Sequence, residues 1–182
     1  MLVIMLKRTT EEFICISYRL LDTLLPDLTL LSPIRCIFAN LLWDIGSQTR
    51  IRKGFHVMKV GNISIGRNCF INRYNFFDNF GAKIIIGNDC SIGYNNKFIT
   101  TSHIEKNKLK KEDQTFYSKP ITIGNNVWIT SNCVILPGTE IGDNAILSAG
   151  SVASGKLENG WIFRGNPAEK VRKTEGIIPK RY

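Results

Sequence analysis

The stretch Ile123-Gly124-Asn125-Asn126-Val127-Trp128-Ile129-Thr130-Ser131-Asn132-Cys133-Val134-Ile135-Leu136-Pro137-Gly138-Thr139-Glu140-Ile141-Gly142-Asp143-Asn144-Ala145-Ile146-Leu147 carries an aliphatic residue at every sixth position: Ile123, Ile129, Ile135, Ile141 and Leu147. An amphipathic helix repeats near 3.6 residues and a half-buried strand at 2, so neither produces this count. A period of six suits a chain wound around a triangular prism, with one short strand per face and a corner between strands. Three hexads make one coil, and each aliphatic side chain then stacks on its counterpart in the next coil. Repeats of this kind decide the architecture before any local propensity does.

The other hexad positions agree. Gly follows the aliphatic at Gly66, Gly87, Gly124 and Gly142, and Asn or Asp comes next in Arg67-Asn68, Asn88-Asp89, Asn125-Asn126 and Asp143-Asn144. These types tolerate positive φ at tight corners. Four residues after the aliphatic stands a compact side chain: Cys69, Cys90, Val127, Cys133, Thr139, Ala145 or Ser151. The register runs back through Ile86, Ile92 and Phe98, through Ile65, Ile71 and Phe77, and more weakly through Ile45, Ile51 and Val57. It breaks after Val57, after Phe77 and most strongly after Phe98, where loops are expected to leave the coil. The expected fold is all-β: a left-handed parallel β-helix of hexapeptide repeats over 44–160, with an excursion loop near 99–119. A helical lead-in over 1–43 and a tail over 161–182 flank it.

The chain has 182 residues, enough for one compact unit with a small appendage. Of its five cysteines, Cys69, Cys90 and Cys133 fill the compact slot, which reads as buried thiols in a reducing cytoplasm rather than a disulfide framework. No signal peptide is evident. The apolar run Phe13–Leu31 is interrupted by Arg19, Asp22, Pro26 and Asp27, so it fails as a membrane span. It reads as two helices: one capped by Thr9 with Glu12 three residues on and running to about Leu25, the other opened by Ser32-Pro33 and running to about Trp43. One reading makes these helices a cap on the open end of the prism. A sharper one lays them on the inner face of a membrane.

Lys and Arg outnumber Asp and Glu by 24 to 15, a formal charge of +9. No groove-reading motif or stacking platform points to nucleic acid. A phosphorylated cofactor, an acidic glycan or anionic lipid fits better. The cluster Lys106, Lys108, Lys110, Lys111 reads as a solvated loop tip. There are two histidines, His56 and His103. His56 reads as a packing or surface residue. His103 stands where the chain leaves the coil for its longest loop, and an imidazole so placed is a candidate general base.

The segments Lys119–Ile129, Ile135–Ala145, Ser148-Ala149-Gly150-Ser151-Val152 and Gly165-Asn166-Pro167-Ala168 together resemble the signature of hexapeptide-repeat O-acetyltransferases. That family includes the galactoside and maltose enzymes, capsule and exopolysaccharide enzymes, and those acetylating streptogramins and chloramphenicol. The resemblance implies acetyl-CoA as co-substrate, no metal, a homotrimer, and coenzyme lying in a groove between two prisms. It implies His103 as the base, with backbone N–H groups near Trp128 to Ser131 facing the oxyanion. It further implies Trp128, Ser131, Ala149 and Ser154 along the coenzyme, Lys156, Lys170 and Arg172 near its phosphates, and Asn72 and Asp78 toward a saccharide acceptor. A carboxylate or a backbone carbonyl should orient the imidazole, and Glu105 is a carboxylate close to it in sequence.

Two departures stand out: Ala153-Ser154-Gly155-Lys156 puts the lysine one place later than the family pattern, and Glu169 follows Gly-Asn-Pro-Ala where a basic residue is common. A zinc-dependent carbonic anhydrase shares this architecture, but it needs three His ligands, more than this chain holds. The leading expectation is acetylation of a sugar hydroxyl in surface-polysaccharide assembly. Antibiotic acetylation, N-acetylation of a nucleotide sugar and a non-catalytic scaffold are the alternatives.

Overall fold

The computed structural model describes residues 2–28, 31–103 and 116–175, with backbone alone for 2–9, 11 and 12. The chain winds as a parallel β-helix with three faces, as the six-residue period requires. The first face stacks Asp44–Ile45, Ile63–Ile65, Ile84–Ile86, Ile121–Ile123, Glu140–Ile141 and Lys156–Leu157. The second stacks Arg50–Ile51, Phe70–Ile71, Ser91–Ile92, Trp128–Ile129, Ile146–Leu147 and Trp161–Arg164, and Glu169–Lys173 is added antiparallel at its end. The third stacks His56–Val57, Phe76–Asp78, Lys97–Ile99, Val134–Ile135 and Val152–Ala153. The coil therefore runs past 160, because Phe163 takes the aliphatic position above Leu147.

Each face buries one ladder. Ile45, Ile65, Ile86, Ile123, Ile141 and Leu157 pair in succession on the first face, and Ile51, Ile71, Ile92, Ile129, Leu147 and Phe163 on the second. All of them are buried, and full burial of one such side chain is worth roughly 1.5–3 kcal/mol. The compact slot is buried as well, and its thiols reach carbonyls of the adjoining coil: Cys69 to Gly87 (3.2 Å), Cys90 to Gly124 (3.0 Å) and Cys133 to Ser148 (3.3 Å). At the corners Asn68, Asp89, Asn126 and Asn144 take positive φ. Their side chains also bond from coil to coil, Asn68 to Asp89 at 2.6 Å and Asn126 to Asn144 at 2.8 Å.

Aromatic rings fill the wider N-terminal end. Phe98 stacks on Phe77 with centroids 4.6 Å apart, Phe77 meets Phe55, Phe55 meets Trp43, and Trp43 meets Tyr18 edge-on at 4.9 Å. Tyr18 belongs to α1, Leu2–Leu24, which with α2, Ser32–Asn40, packs on the first coil. Helix α1 runs through Thr9, so the expected capping box does not form. The preceding Leu, Met, Lys and Arg residues are good helix formers and offer no breaker. Helix α2 stops at Asn40, short of Trp43, and Ser32 is not its cap. Its hydroxyl donates instead to the Ile51 carbonyl, tying the helix to the coil (3.1 Å).

Two ion-pair knots fasten the helices. Arg35 is 1% exposed; its Nε donates to Asp22 at 2.8 Å, and its Nη2 reaches the carbonyls of Leu25 and Pro26, both at 2.9 Å. The other oxygen of Asp22 accepts the Gly54 N–H at 2.7 Å. Asp27 lies between Arg52 and Arg73. Burial alone would raise its carboxyl, but the hydrogen bond from Arg73 and the charge of Arg52 outweigh that and hold it below the usual carboxylate range. This tie is therefore complete above about pH 4 and is lost as pH falls through the lowered value. Asp22→Ala would leave Arg35 buried without its counter-charge. We expect a loss of about 3–5 kcal/mol in urea unfolding, whereas an unchanged midpoint would show that the knot does not hold the helices.

Candidate active site

Chemistry-bearing residues collect on two edges of the prism. The first is the edge between the third and first faces, where the chain leaves the coil after Ile99. Thr100 is buried and anchors the exit: its N–H and hydroxyl both donate to the Asp78 carbonyl, at 3.2 and 2.7 Å, and its own carbonyl accepts the Lys119 N–H at 2.9 Å. From this root Thr101–His103 pairs antiparallel with Phe116–Ser118, in the register Thr101 to Ser118, Ser102 to Tyr117 and His103 to Phe116. The excursion is therefore a two-stranded ribbon at its base, held by a 2.9 Å hydroxyl contact between Thr101 and Ser118.

The ribbon carries His103 away from the prism and leaves it exposed, opposite the half-exposed Phe116. Residues directly opposed on an antiparallel pair sit side by side on one face. Glu105 and the cluster Lys106, Lys108, Lys110, Lys111 lie outside the described residues. Gly81 lies under the root: a Cβ there would stand 2.0 Å from the Ser118 hydroxyl and 2.3 Å from that of Thr101. Sequence reasoning missed both Gly81 and Phe116. Gly81 lies in the register break after Phe77, outside the Ile-Gly corners, and that displaced glycine was the available signal.

The second site region comprises the second face and its edge with the third. Trp128 alternates with the buried Ile129 and so faces outward, half-buried, between Ser91 and Ile146. Ser131 turns the corner: its hydroxyl accepts the Tyr94 N–H at 3.1 Å, and its carbonyl accepts the Gly150 N–H at 3.0 Å. Ala149, exposed, occupies the same corner one coil on. Asn72 sits on this edge two coils earlier, its side-chain oxygen taken by the Arg73 N–H at 3.0 Å. Two of the expected oxyanion donors are engaged in the ladder. The N–H groups of Trp128 and Thr130 are committed to the carbonyls of Ala145 and Leu147, both at 3.0 Å, because a parallel ladder uses every second amide of the strand.

The remaining candidates divide between these regions. Asp78 stands beside the ribbon root, its side chain accepting the Phe80 N–H at 3.3 Å. Ser154 lies exposed on the ribbon edge, and Lys156 beside it on the first face opposite Glu140. Lys170 and Arg172 are exposed on the strand added to the second face. Lys170 is engaged by Glu158 at 2.5 Å and lies over the Trp161 ring at 5.0 Å. Within one chain the third face separates the ribbon edge from the strip of Trp128, Ser131 and Ala149. Among the described residues no three His, Cys, Asp or Glu side chains converge on a metal-binding position.

Comparison with known proteins places this architecture. Residues 120–155 match the family model for the bacterial transferase hexapeptide (six repeats). Galactoside O-acetyltransferase of Escherichia coli is 39% identical over 116 residues, covering 60% of this chain and 56% of that protein. This chain thus spans little more than half the length of that relative. A putative acetyltransferase of Saccharomyces cerevisiae is 36% identical over 140 residues, covering 75% of this chain and 69% of the relative. Among solved structures, a hexapeptide-repeat acetyltransferase of Vibrio cholerae complexed with acetyl coenzyme A superimposes with a TM-score of 0.78 at 27% identity, over 89% of this chain and 86% of that one. A galactoside acetyltransferase in complex with coenzyme A gives 0.79 at 27% identity, over 89% and 80%. With its aliphatic ladder, its corner asparagines and these relatives, the chain belongs to the hexapeptide-repeat acetyltransferase family.

Proposed function

We propose that this chain transfers the acetyl group of acetyl-CoA to a hydroxyl of a saccharide, in the assembly of a surface polysaccharide, with His103 as general base. The observation that carries the reading is the exposed imidazole held on a ribbon beyond the prism edge, in a fold whose solved relatives hold acetyl coenzyme A or coenzyme A. Imidazole is the side chain whose charge changes closest to neutrality. His103 accepts the proton of the acceptor hydroxyl as that oxygen attacks the thioester carbonyl carbon. The tetrahedral adduct collapses by breaking the carbon–sulfur bond, and the imidazolium returns its proton to the departing thiolate.

A homotrimer supplies the rest of the geometry. It sets the ribbon edge of one copy against the strip of Trp128, Ser131 and Ala149 on the next, and the pantetheine arm lies along that strip. Ser154, exposed on the ribbon edge, borders the same groove. Lys156 and Arg172 face the coenzyme phosphates, and Lys170 contributes less because Glu158 already engages it. The acceptor lies by the ribbon, with Asp78 at its root and Phe116 flanking the base, and Asn72 comes from the facing edge. Acetylation of an antibiotic, N-acetylation of a nucleotide sugar and a purely structural role remain outcomes of an acceptor screen rather than parts of this proposal.

Thiol release from acetyl-CoA with a sugar panel tests the base directly. His103→Ala should lower kcat by about 10²–10⁴-fold with the fold intact; equal turnover in the two proteins would remove His103 from the role. The close approach at Gly81 supplies an independent test. Gly81→Ala must push the ribbon root aside, and a displacement near 1 Å costs up to about 10²-fold in rate. We expect kcat to fall while thermal unfolding moves little, and an unaltered kcat would show that the ribbon's seat does not position the base.

A further inference from the structure

One surface takes no part in the proposed chemistry. Among the described residues, ten of the eighteen exposed large hydrophobic side chains fall between Phe13 and Leu41. On α1, Phe13, Ile16, Leu20 and Leu24 are 70, 51, 60 and 79% exposed. They recur at three- and four-residue spacing and line one side of the helix. Cys15, Tyr18 and Asp22 are buried and recur in the same way on the opposite side, against the coil. Helix α2 repeats the arrangement, with Ser32, Arg35 and Ala39 turned inward and Ile34 and Ile37 outward at 37 and 64% exposure, and Leu41, which caps its C-terminal end, is 74% exposed. Both helices thus cap the prism with one side and present an apolar stripe on the other. Between them lies a cavity of about 320 Å³ lined by Ile14, Tyr18, Leu21, Phe38 and Leu42. Stripes of this extent mark an interaction surface.

We propose that this outer face of α1 and α2 seats the protein on an anionic lipid bilayer, with the inter-helix cavity open to an acyl chain. The charge at this end favours such a partner. In the first 60 residues Lys and Arg outnumber Asp and Glu eight to five. Asp22 and Asp27 are bound to Arg35, Arg52 and Arg73, so neither carboxylate opposes a lipid phosphate. Lys53 and Lys59, only half-buried, border the helices, and the Lys53 ammonium reaches the Thr23 carbonyl at the end of α1 at 3.0 Å. No described helix is long and apolar enough to cross a membrane. A helix of this character, apolar on one side and partnered on the other, lies in the interface plane instead.

Flotation of the full chain with sealed vesicles tests the proposal. It should float with vesicles containing phosphatidylglycerol, less with phosphatidylcholine alone, and less at high salt. The triple variant Phe13→Asp, Leu20→Asp, Ile37→Asp changes only exposed positions. It should lose at least about tenfold in partitioning, a drop of about 1.4 kcal/mol, with its circular dichroism and its thiol release on a soluble acceptor unchanged. Wild-type protein that stays off both vesicle types, or a variant that floats as well as wild type, overturns the proposal. So does equal flotation on both lipids, which would leave the charge without a role. A variant that alters the sedimenting mass, with wild type remaining off vesicles, would identify the face as an interface between copies.

Discussion

The interior of a three-sided coil is too narrow for more than one aliphatic side chain per face and a compact group at each corner, and that restriction governs the rest of the molecule. Cys69, Cys90 and Cys133 occupy the slot where larger side chains would clash, and their thiols bond to the adjoining coil. Charged groups and the candidate base find no room inside the coil and are displaced to faces, edges and excursions. The candidate site follows from this. A ladder that consumes the interior leaves the outward positions such as Trp128 and Ser131, and the ribbon bearing His103, as the places where binding and catalysis can be built.

The same restriction fails at the N-terminal end. There the ladder gives way to Phe77, Phe55, Trp43 and Tyr18, a run of rings that carries the core from the coil into the helices. An open solenoid end exposes its ladder, and α1 and α2 cover it at the cost of burying Arg35 and Asp22. Three backbone groups join the pair, the carbonyls of Leu25 and Pro26 and the N–H of Gly54, so the helices are held in one orientation. That fixed orientation leaves the apolar stripe of each helix facing outward.

Features written in the period were legible from the residues. The aliphatic ladder, the compact slot, the asparagine corners and the exit after Phe98 each depend on residue type at a counted position, and the structure repeats them. Features that depend on contacts between distant segments were not. Gly81 matters because of Ser118 and Thr101, and Phe116 because of its register with His103, and neither relation has a local signature. The start of α1 was misplaced because Thr9 and Glu12 make an acceptable cap only where the preceding residues do not continue the helix. Two of the amides expected near the oxyanion, those of Trp128 and Thr130, are taken for a similar reason: whether an N–H is spent in the ladder is settled by the neighbouring coil, not by its own strand.

In the proposed mechanism a site divided between two edges of one prism is completed by a neighbouring copy, and subunit mixing measures this directly. His103→Ala disables the ribbon edge, and Ala149→Tyr obstructs the facing strip. Each variant alone should be nearly inactive in thiol release. Refolded together in equal amounts as a homotrimer, they place an intact ribbon against an intact strip at about one junction in four. The account predicts recovery of about a quarter of wild-type turnover; a mixture no more active than the two variants measured separately would contradict it.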